Sequence, residues 1–279
     1  MGNVKKSIMT TNNFTSQEEE LLKHGYYSTE ENTSYKNIDW NTPIYKIMPY
    51  NYVLDMMRDN KLTLTQIRNW FDDDSYELFL LKQRFYLNDK PEPNLVNQHI
   101  PYFYGQSWSF QKESDALWRI YSKNHNSVKI KTTLRKLIPL CEQQPQNTVT
   151  KIGEINYVDR KDIIDEIDSL NKNKSFSVSN FFDIVYRASF TKMRAFECEK
   201  EFRIISQMEN DVHSSPAPNI IKFNISPDFI EEMTFDPRMQ KSVCTEIEKQ
   251  IKQINKKITF TNDPSYDEIN EKIFLYYKM

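Results

Sequence analysis

Glycine is nearly missing from this chain. Its 279 residues hold four, Gly2, Gly25, Gly105 and Gly153, where average composition would supply roughly 20. A Walker A loop, a Rossmann G-x-G-x-x-G turn or a G-x-S-x-G nucleophile elbow needs several glycines together, because backbone must turn tightly or approach phosphate closely. None can be written here, so any bound nucleotide is held by side chains and strand edges. Cysteine is as scarce. Cys141, Cys198 and Cys244 lie far apart and are odd in number, which argues for a reducing cytoplasm over a disulfide scaffold and excludes a four-cysteine zinc site. His24, His99, His125 and His213 form no H-x-x-x-H, and no C-x-x-C exists, so no metal is expected. No apolar run approaches the roughly 18–20 residues of a membrane span, and the opening MGNVKKSIMTTNN lacks a signal-peptide core. Lys6 stands where N-myristoylation of Gly2 requires Ser or Thr. No membrane partner is expected.

Charge of one sign is also lacking. With 37 Lys+Arg against 39 Asp+Glu the net charge is −2, so no global field draws the protein to nucleic acid or acidic lipid, although local patches remain possible. What is present is a charged fraction of 27% beside 38% hydrophobic residues, enough for a sizeable core in an ordinary globular chain.

Residues 1–40 are rich in Asn, Thr, Ser and Glu, with one capping-box signal from Ser16 to Glu19 before a short helical run ending near Gly25. They read as a mobile polar arm that could dock on an inhibitor (antitoxin) or chaperone; residues 41–279 read as one domain. From Ile44 the pattern predicts a strand over 44–48, a helix over 50–59, and a strand over 61–66 alternating at period two. The acidic run Asp72-Asp73-Asp74-Ser75 reads as the cap of a helix to about Tyr86 rather than as a metal-binding nuclease site. Strands are expected over 102–110, 127–132, 151–159, 199–207, 219–225, 257–261 and 273–278. Helices are expected from Ser114, over 161–171 and 179–190, and over 239–256. The irregular interleaving predicts an α+β fold.

Three features could carry chemistry. In ECEKEFRII, a strand over 199–207 would project Glu199, Glu201 and Arg203 from one side while Cys198, Phe202 and Ile204 face the core. Carboxylates about 7 Å apart, at about 3.3 Å rise per residue, can share one substrate, one stabilising developing positive charge and the other taking a proton; an exposed edge of Glu/Arg pairs would show the same spacing. In YGQSWSF, Ser107 and Ser109 share a face opposite Trp108 and Phe110, and Gly105 suggests a bulge or the close approach of a ligand. Between Arg119 and Lys136 six cations (Arg119, Lys123, Lys129, Lys131, Arg135, Lys136) stand without an acid, beside Trp118 and Tyr121. Such a stretch could receive the phosphates of a dinucleotide or RNA, with rings for base stacking, or be a solvated face balanced by acids elsewhere.

Taken in order, these segments resemble a bacterial family known only as a domain of unknown function and related to the ADP-ribosyltransferase fold. The resemblance runs from about Ile44 to about Asn262. It is carried by Tyr45-Lys46, Lys61-Leu62, Phe71 to Asp74 without the family's proline, Ser107-Trp108-Ser109, and Trp118 with Tyr121. Phe196, Glu199, Glu201 and Arg203 match an aromatic-x-x-E-x-E-x-R run, and a downstream strand, the Asp-Pro-Arg turn at 236–238 and a long helix follow. Ser127 replaces a customary glycine.

The resemblance implies an α+β, ADP-ribosyltransferase-like split sheet, mixed or antiparallel, with surrounding helices, and NAD as substrate without a metal. In similar proteins a basic residue on the first strand, an S-x-S strand and a closing E-x-E hold NAD. Here these would be Lys46 or its competitor Tyr45, then Ser107 and Ser109, then Glu199 and Glu201, with Trp118 and Tyr121 as further contacts. Glu201, Glu199 and Ser107 would be catalytic. The implied activity is an NAD-dependent ADP-ribosyltransferase, a cytoplasmic toxin or anti-phage effector with RNA or protein as acceptor. A plain NAD glycohydrolase is the nearest variant. A non-enzymatic nucleotide or RNA sensor is the alternative, favoured by Lys46 standing where Arg or His is usual.

Overall fold

The computed structural model describes residues 13–29, 34–73, 77–87, 90–145, 147–172, 178–209 and 216–263. Nine strands among them form one sheet: β1 (Pro43–Pro49), β2 (Lys61–Gln66), β3 (Phe103–Ser109), β4 (Ser127–Thr133), β5 (Thr148–Glu154), β6 (Glu201–Met208), β7 (Ile220–Asn224), β8 (Glu232–Phe235) and β9 (Thr259–Thr261). The main path runs β7-β2-β3-β1-β4-β8-β9, and β6 pairs with both β3 and β5. Every pair is antiparallel except β8 with β9. Helices α1 (Ser16–Gly25), α2 (Tyr50–Asp59), α3 (Asp115–Tyr121), α4 (Arg160–Lys172), α5 (Val178–Ser189) and α6 (Lys241–Ile254) surround it. The expected α+β class and split, mostly antiparallel sheet are therefore found.

The split comes from how β3 divides its edges. Along one it pairs with β6 over seven positions, from Glu201↔Ser109 to Gln207↔Phe103. Along the other, β2 takes only Tyr104 and Gly105, and β1 takes only Ser109. Gln106, Ser107 and Trp108 lie outside both of those ladders, and side chains bridge the gap: Gln106 donates to the Thr63 carbonyl at 3.1 Å and Lys46 to the Ser107 carbonyl at 2.8 Å. Backbone carbonyls of a half-buried strand need partners, and here side chains supply them.

Alternation on β6 feeds two cores. Phe202 and Ile204 enter one with Trp40, Ile44, Trp108 and Ile130; Ile205 enters the other with Phe103, Phe181 and Val185. Glu201 and Arg203 therefore share the face of the second core, as period two requires.

Several expectations are corrected. The described part of the supposed arm is packed: Thr15, not Ser16, closes the capping box with Glu18, and α1 buries Leu22 completely. Trp40 is also fully buried, since these apolar side chains gain more from the core than the polar residues around them lose. The helix expected to Tyr86 is replaced by a short turn of helix at Trp70–Asp73, a 3-10 helix at Phe79–Lys82 and a strand at Tyr86–Leu87; Asp74 and Ser75 lie outside the described residues. The strand expected over 151–159 is two, β5 and Asn156–Val158, the latter paired in parallel with Thr191–Met193. Strand β8 went unread in the alternation, and the expected strand at 273–278 lies outside the described residues.

Gly105 occupies a regular ladder position between Thr65 and Ile205; what comes close is the chain's own Trp70. A Cβ there would lie 2.6 Å from the Trp70 ring and 2.8 Å from Ile67. Gly105→Ala is expected to cost about 1–3 kcal/mol through overpacking, read as a lowered urea midpoint; an unchanged midpoint would contradict this packing.

Candidate active site

Glu201 does begin β6, but Glu199 does not share that strand. It ends a 3-10 helix, Arg194–Glu199, and Lys200 between the two acids takes a left-handed conformation at φ 44. The turn, rather than strand pleating, brings the carboxylates to one place. Cys198 is exposed rather than in the core. Both acids are buried, Glu199 to 6% exposure and Glu201 to 4%, so the reading of an exposed edge of ion pairs is excluded.

Two cations hold them there. Arg203 Nε donates to Glu201 Oε2 at 2.8 Å and to Ser107 Oγ at 3.1 Å, while its two terminal nitrogens form a fork on Glu77 at 2.6 and 3.1 Å. The Ser189 carbonyl accepts from the same guanidinium, and the Trp70 ring lies 4.7 Å from it. Lys192 Nζ reaches Glu201 at 2.6 Å, Glu199 at 3.2 Å and Glu77 at 3.6 Å, with the Phe196 ring 5.0 Å away. The Tyr121 hydroxyl donates to Glu199 Oε2 at 2.8 Å, and the Glu201 N–H donates to the Tyr157 hydroxyl at 2.8 Å. The Ser109 hydroxyl is turned to the Glu199 carbonyl at 2.5 Å. Two cations thus serve three buried carboxyl groups.

The environments of the two acids differ. Burial raises the Glu199 carboxyl above the usual range, opposed by Lys192 and reinforced by the Glu201 charge. Burial would raise Glu201 too, but Arg203 and Lys192 outweigh it and hold that carboxyl well below the usual range. Lys46, half-buried as a residue, has its ammonium pushed down to about 8 by desolvation, against the pull of Glu201. Paired groups whose environments push them apart suit separate roles.

These residues open onto two adjoining hollows. The smaller is lined by Tyr45, Lys46, Ser107, Ser109, Trp118 and Tyr121 among others; the larger, about 1040 Å³, passes over Lys46, Ser107, Glu77, Lys192 and Arg203. Lys46, Ser107, Tyr121, Glu199 and Glu201 border both. Every residue expected at the site thus lines a hollow, but two readings change. Trp118 is fully buried, its indole N–H given to Asp263 at 2.7 Å and its face to Lys129, so it is a wall and offers no open ring for stacking. The basic stretch is dispersed into ion pairs: Arg119 with Asp115, Lys129 with Asp263, Lys131 with Glu231 and Glu232, Arg135 with Glu18, and Lys136 with Glu231. Of the six, Lys123 lines the larger hollow. The balancing acids expected by the alternative reading are there, although Lys129 is buried with Asp263 rather than solvated, and the stretch no longer argues for RNA.

Lys192, Glu77 and Tyr157 were missed. Each is a lone polar residue in no motif, and only the fold gathers the three. Among the described residues no group of three or more His, Cys, Asp or Glu could hold a metal ion, and no helix is long and apolar enough to cross a membrane.

Residues 117–204 match a family described as a protein of unknown function (DUF2971), in keeping with the resemblance drawn from the motifs. No curated protein matches the chain. Among solved structures, Thermus sp. 2.9 DarT in complex with NAD+ is 12% identical over 79% of this chain and 96% of its own, at a TM-score of 0.32. The same protein in complex with carba-NAD+ gives 12%, 81%, 98% and 0.34. In complex with ADP-ribosylated ssDNA it gives 11%, 79%, 94% and 0.35.

Removing one partner from a buried ion pair leaves an uncompensated charge and costs about 3–5 kcal/mol. Arg203→Met is expected to lose that much at pH 7 in urea unfolding. The stability contributed by ionised Glu201 is complete above its ordinary value of 4.5 and is lost as pH falls through the depressed folded value. The deficit of the variant should therefore shrink in acid; a deficit independent of pH would contradict the pairing.

Proposed function

We propose that this protein is an NAD-consuming ADP-ribosyltransferase whose reaction takes place where β1 and β2 part beside β3. The observation that supports it best is the placement of Glu199 and Glu201: buried, adjacent, and bordering a hollow with Lys46 and Ser107. Catalytic groups at these positions would meet the needs of an N-glycosidic bond. As the ribose–nicotinamide C–N bond breaks, its electron pair leaves with the nicotinamide and positive charge spreads over the ribose. Glu201, kept ionised by Arg203 and Lys192, offsets that charge in the transition state more than in the ground state. One ion contact at about 4 Å, with an effective dielectric near 20, contributes about 4 kcal/mol before desolvation, or several hundred-fold in rate.

Glu199, with its raised proton affinity, takes the proton of the acceptor as the acceptor's nucleophile bonds to the ribose carbon. Lys46 rather than Tyr45 supplies the first-strand cation for the phosphates. It reaches across the split and borders both hollows, whereas Tyr45 is buried with a phenol that burial keeps protonated. A cleft of about 1040 Å³, at the upper end of ligand pockets, has room for part of a dinucleotide and an acceptor. The role we assign is that of an intracellular toxin or defence effector.

Purified protein incubated with NAD labelled in the adenylate half should release nicotinamide and place label on a macromolecule in cell lysate. Glu201→Gln should lower nicotinamide release at least about 100-fold with the fold intact, and Glu201→Ala should relieve growth arrest on expression. Wild-type release by Glu201→Gln would overturn the assignment, and label found only in free ADP-ribose would indicate a glycohydrolase. The Lys46 ammonium, with a value of about 8, loses its charge as pH rises through that value. The KM for NAD should therefore climb between about pH 8 and 9.5, and Lys46→Arg should abolish the climb. A flat profile in the wild type would remove Lys46 from phosphate binding.

A further inference from the structure

Nothing in the sequence motifs accounts for Lys192. It stands in the short strand Thr191–Met193, outside the main sheet, and its register partner across the parallel ribbon is Tyr157. These two neighbours grip Glu201 from both ends: the Tyr157 hydroxyl accepts its backbone N–H, and the Lys192 ammonium meets its carboxylate. The same ammonium is the cation that also reaches Glu199, because Arg203 is spent on Glu201 and Glu77. Its side chain is 7% exposed and meets the Phe196 ring, so water screens it little.

We infer that Lys192 is the positioning residue of the acid pair, a single buried ammonium that keeps Glu199 and Glu201 together and allows both to carry charge. Two carboxylates confined to one site cannot both ionise readily without such a partner. The groups that face Glu199 are Lys192, Glu201 and Tyr121; those that face Lys192 are Glu201, Arg203, Glu77 and Glu199. Of the cations, then, only Lys192 acts on Glu199 from hydrogen-bond distance among the described residues, and the Tyr121 hydroxyl does not replace a full charge. Lys192 does not touch the reacting bond in this account; it acts through the acids. The assignment of a catalytic consequence rests on the NAD reading, whereas the electrostatic clamp itself does not.

The test is the titration of Glu199 in the full chain, followed by carboxyl carbon NMR and identified by its loss in Glu199→Gln. Removing a neighbouring opposite charge shifts a carboxyl by about 1–3 units. In Lys192→Met the Glu199 midpoint should rise by at least about one unit, and Lys192→Arg should return it. Lys192→Gln, which keeps a donor without the charge, serves if the methionine variant does not fold, with the same rise expected. In parallel, the acidic limb of kcat/KM for nicotinamide release should move up by the same amount in the neutral variants. A merely structural role would lower the melting temperature and leave the midpoint and the limb unmoved. An unshifted Glu199 midpoint overturns the inference about Lys192. Absence of nicotinamide release from the wild type, with the midpoint shifted as expected, overturns the NAD reading alone.

Discussion

The site depends on one buried guanidinium. An ionised carboxylate as covered as Glu201 would ordinarily neutralise itself, and Arg203 prevents this by meeting it at 2.8 Å while forking onto Glu77. The geometry suits arginine because its planar fork satisfies two acids and a carbonyl at once, which a lysine ammonium cannot do in the same directions. Its face needs cover, which Trp70 gives, and Trp70 needs a strand residue without a side chain beside it, which Gly105 gives. One of only four glycines in the chain thus supports the candidate site through packing, by way of Trp70 and Arg203.

The same constraint explains the division of β3. A strand fully paired on both edges would leave no opening beside Ser107. Because β1 and β2 each take only an end of that edge, Lys46 can lie across the gap and the two hollows can meet over Glu199 and Glu201. The short ribbon of Asn156–Val158 and Thr191–Met193 completes the arrangement from outside the sheet.

Much of this was legible in the residues, and the failures have definite causes. Apolar runs and alternation found β1, β2, β3, β4 and β7 closely, and the glutamates of the E-x-E run together with Ser107, Tyr45 and Lys46 do border one hollow. The reason given for the glutamates was wrong in part: a continuous strand would have aligned them, whereas a left-handed Lys200 does so, and nothing in a lysine announces positive φ. The basic stretch misled because a sequence displays cations in a row and hides their partners, which arrive from as far away as Glu18, Glu231 and Asp263. Lys192, Glu77 and Tyr157 were invisible for the converse reason. Their importance lies in being brought together from three segments, and no local pattern encodes that. The packing of α1 and of Trp40 was underestimated because two buried residues, Leu22 and Trp40, outweigh a polar composition.

The central claim is that an ionised Glu201, held by Arg203 and Lys192, faces the ribose carbon at which NAD is cleaved. The most direct measurement is a crystal structure with a non-hydrolysable NAD analogue. The account predicts the ribose at the nicotinamide end beside Glu201, with the phosphates toward Lys46. An analogue bound elsewhere, or lying in the cleft with its adenine end at Glu201, would contradict it.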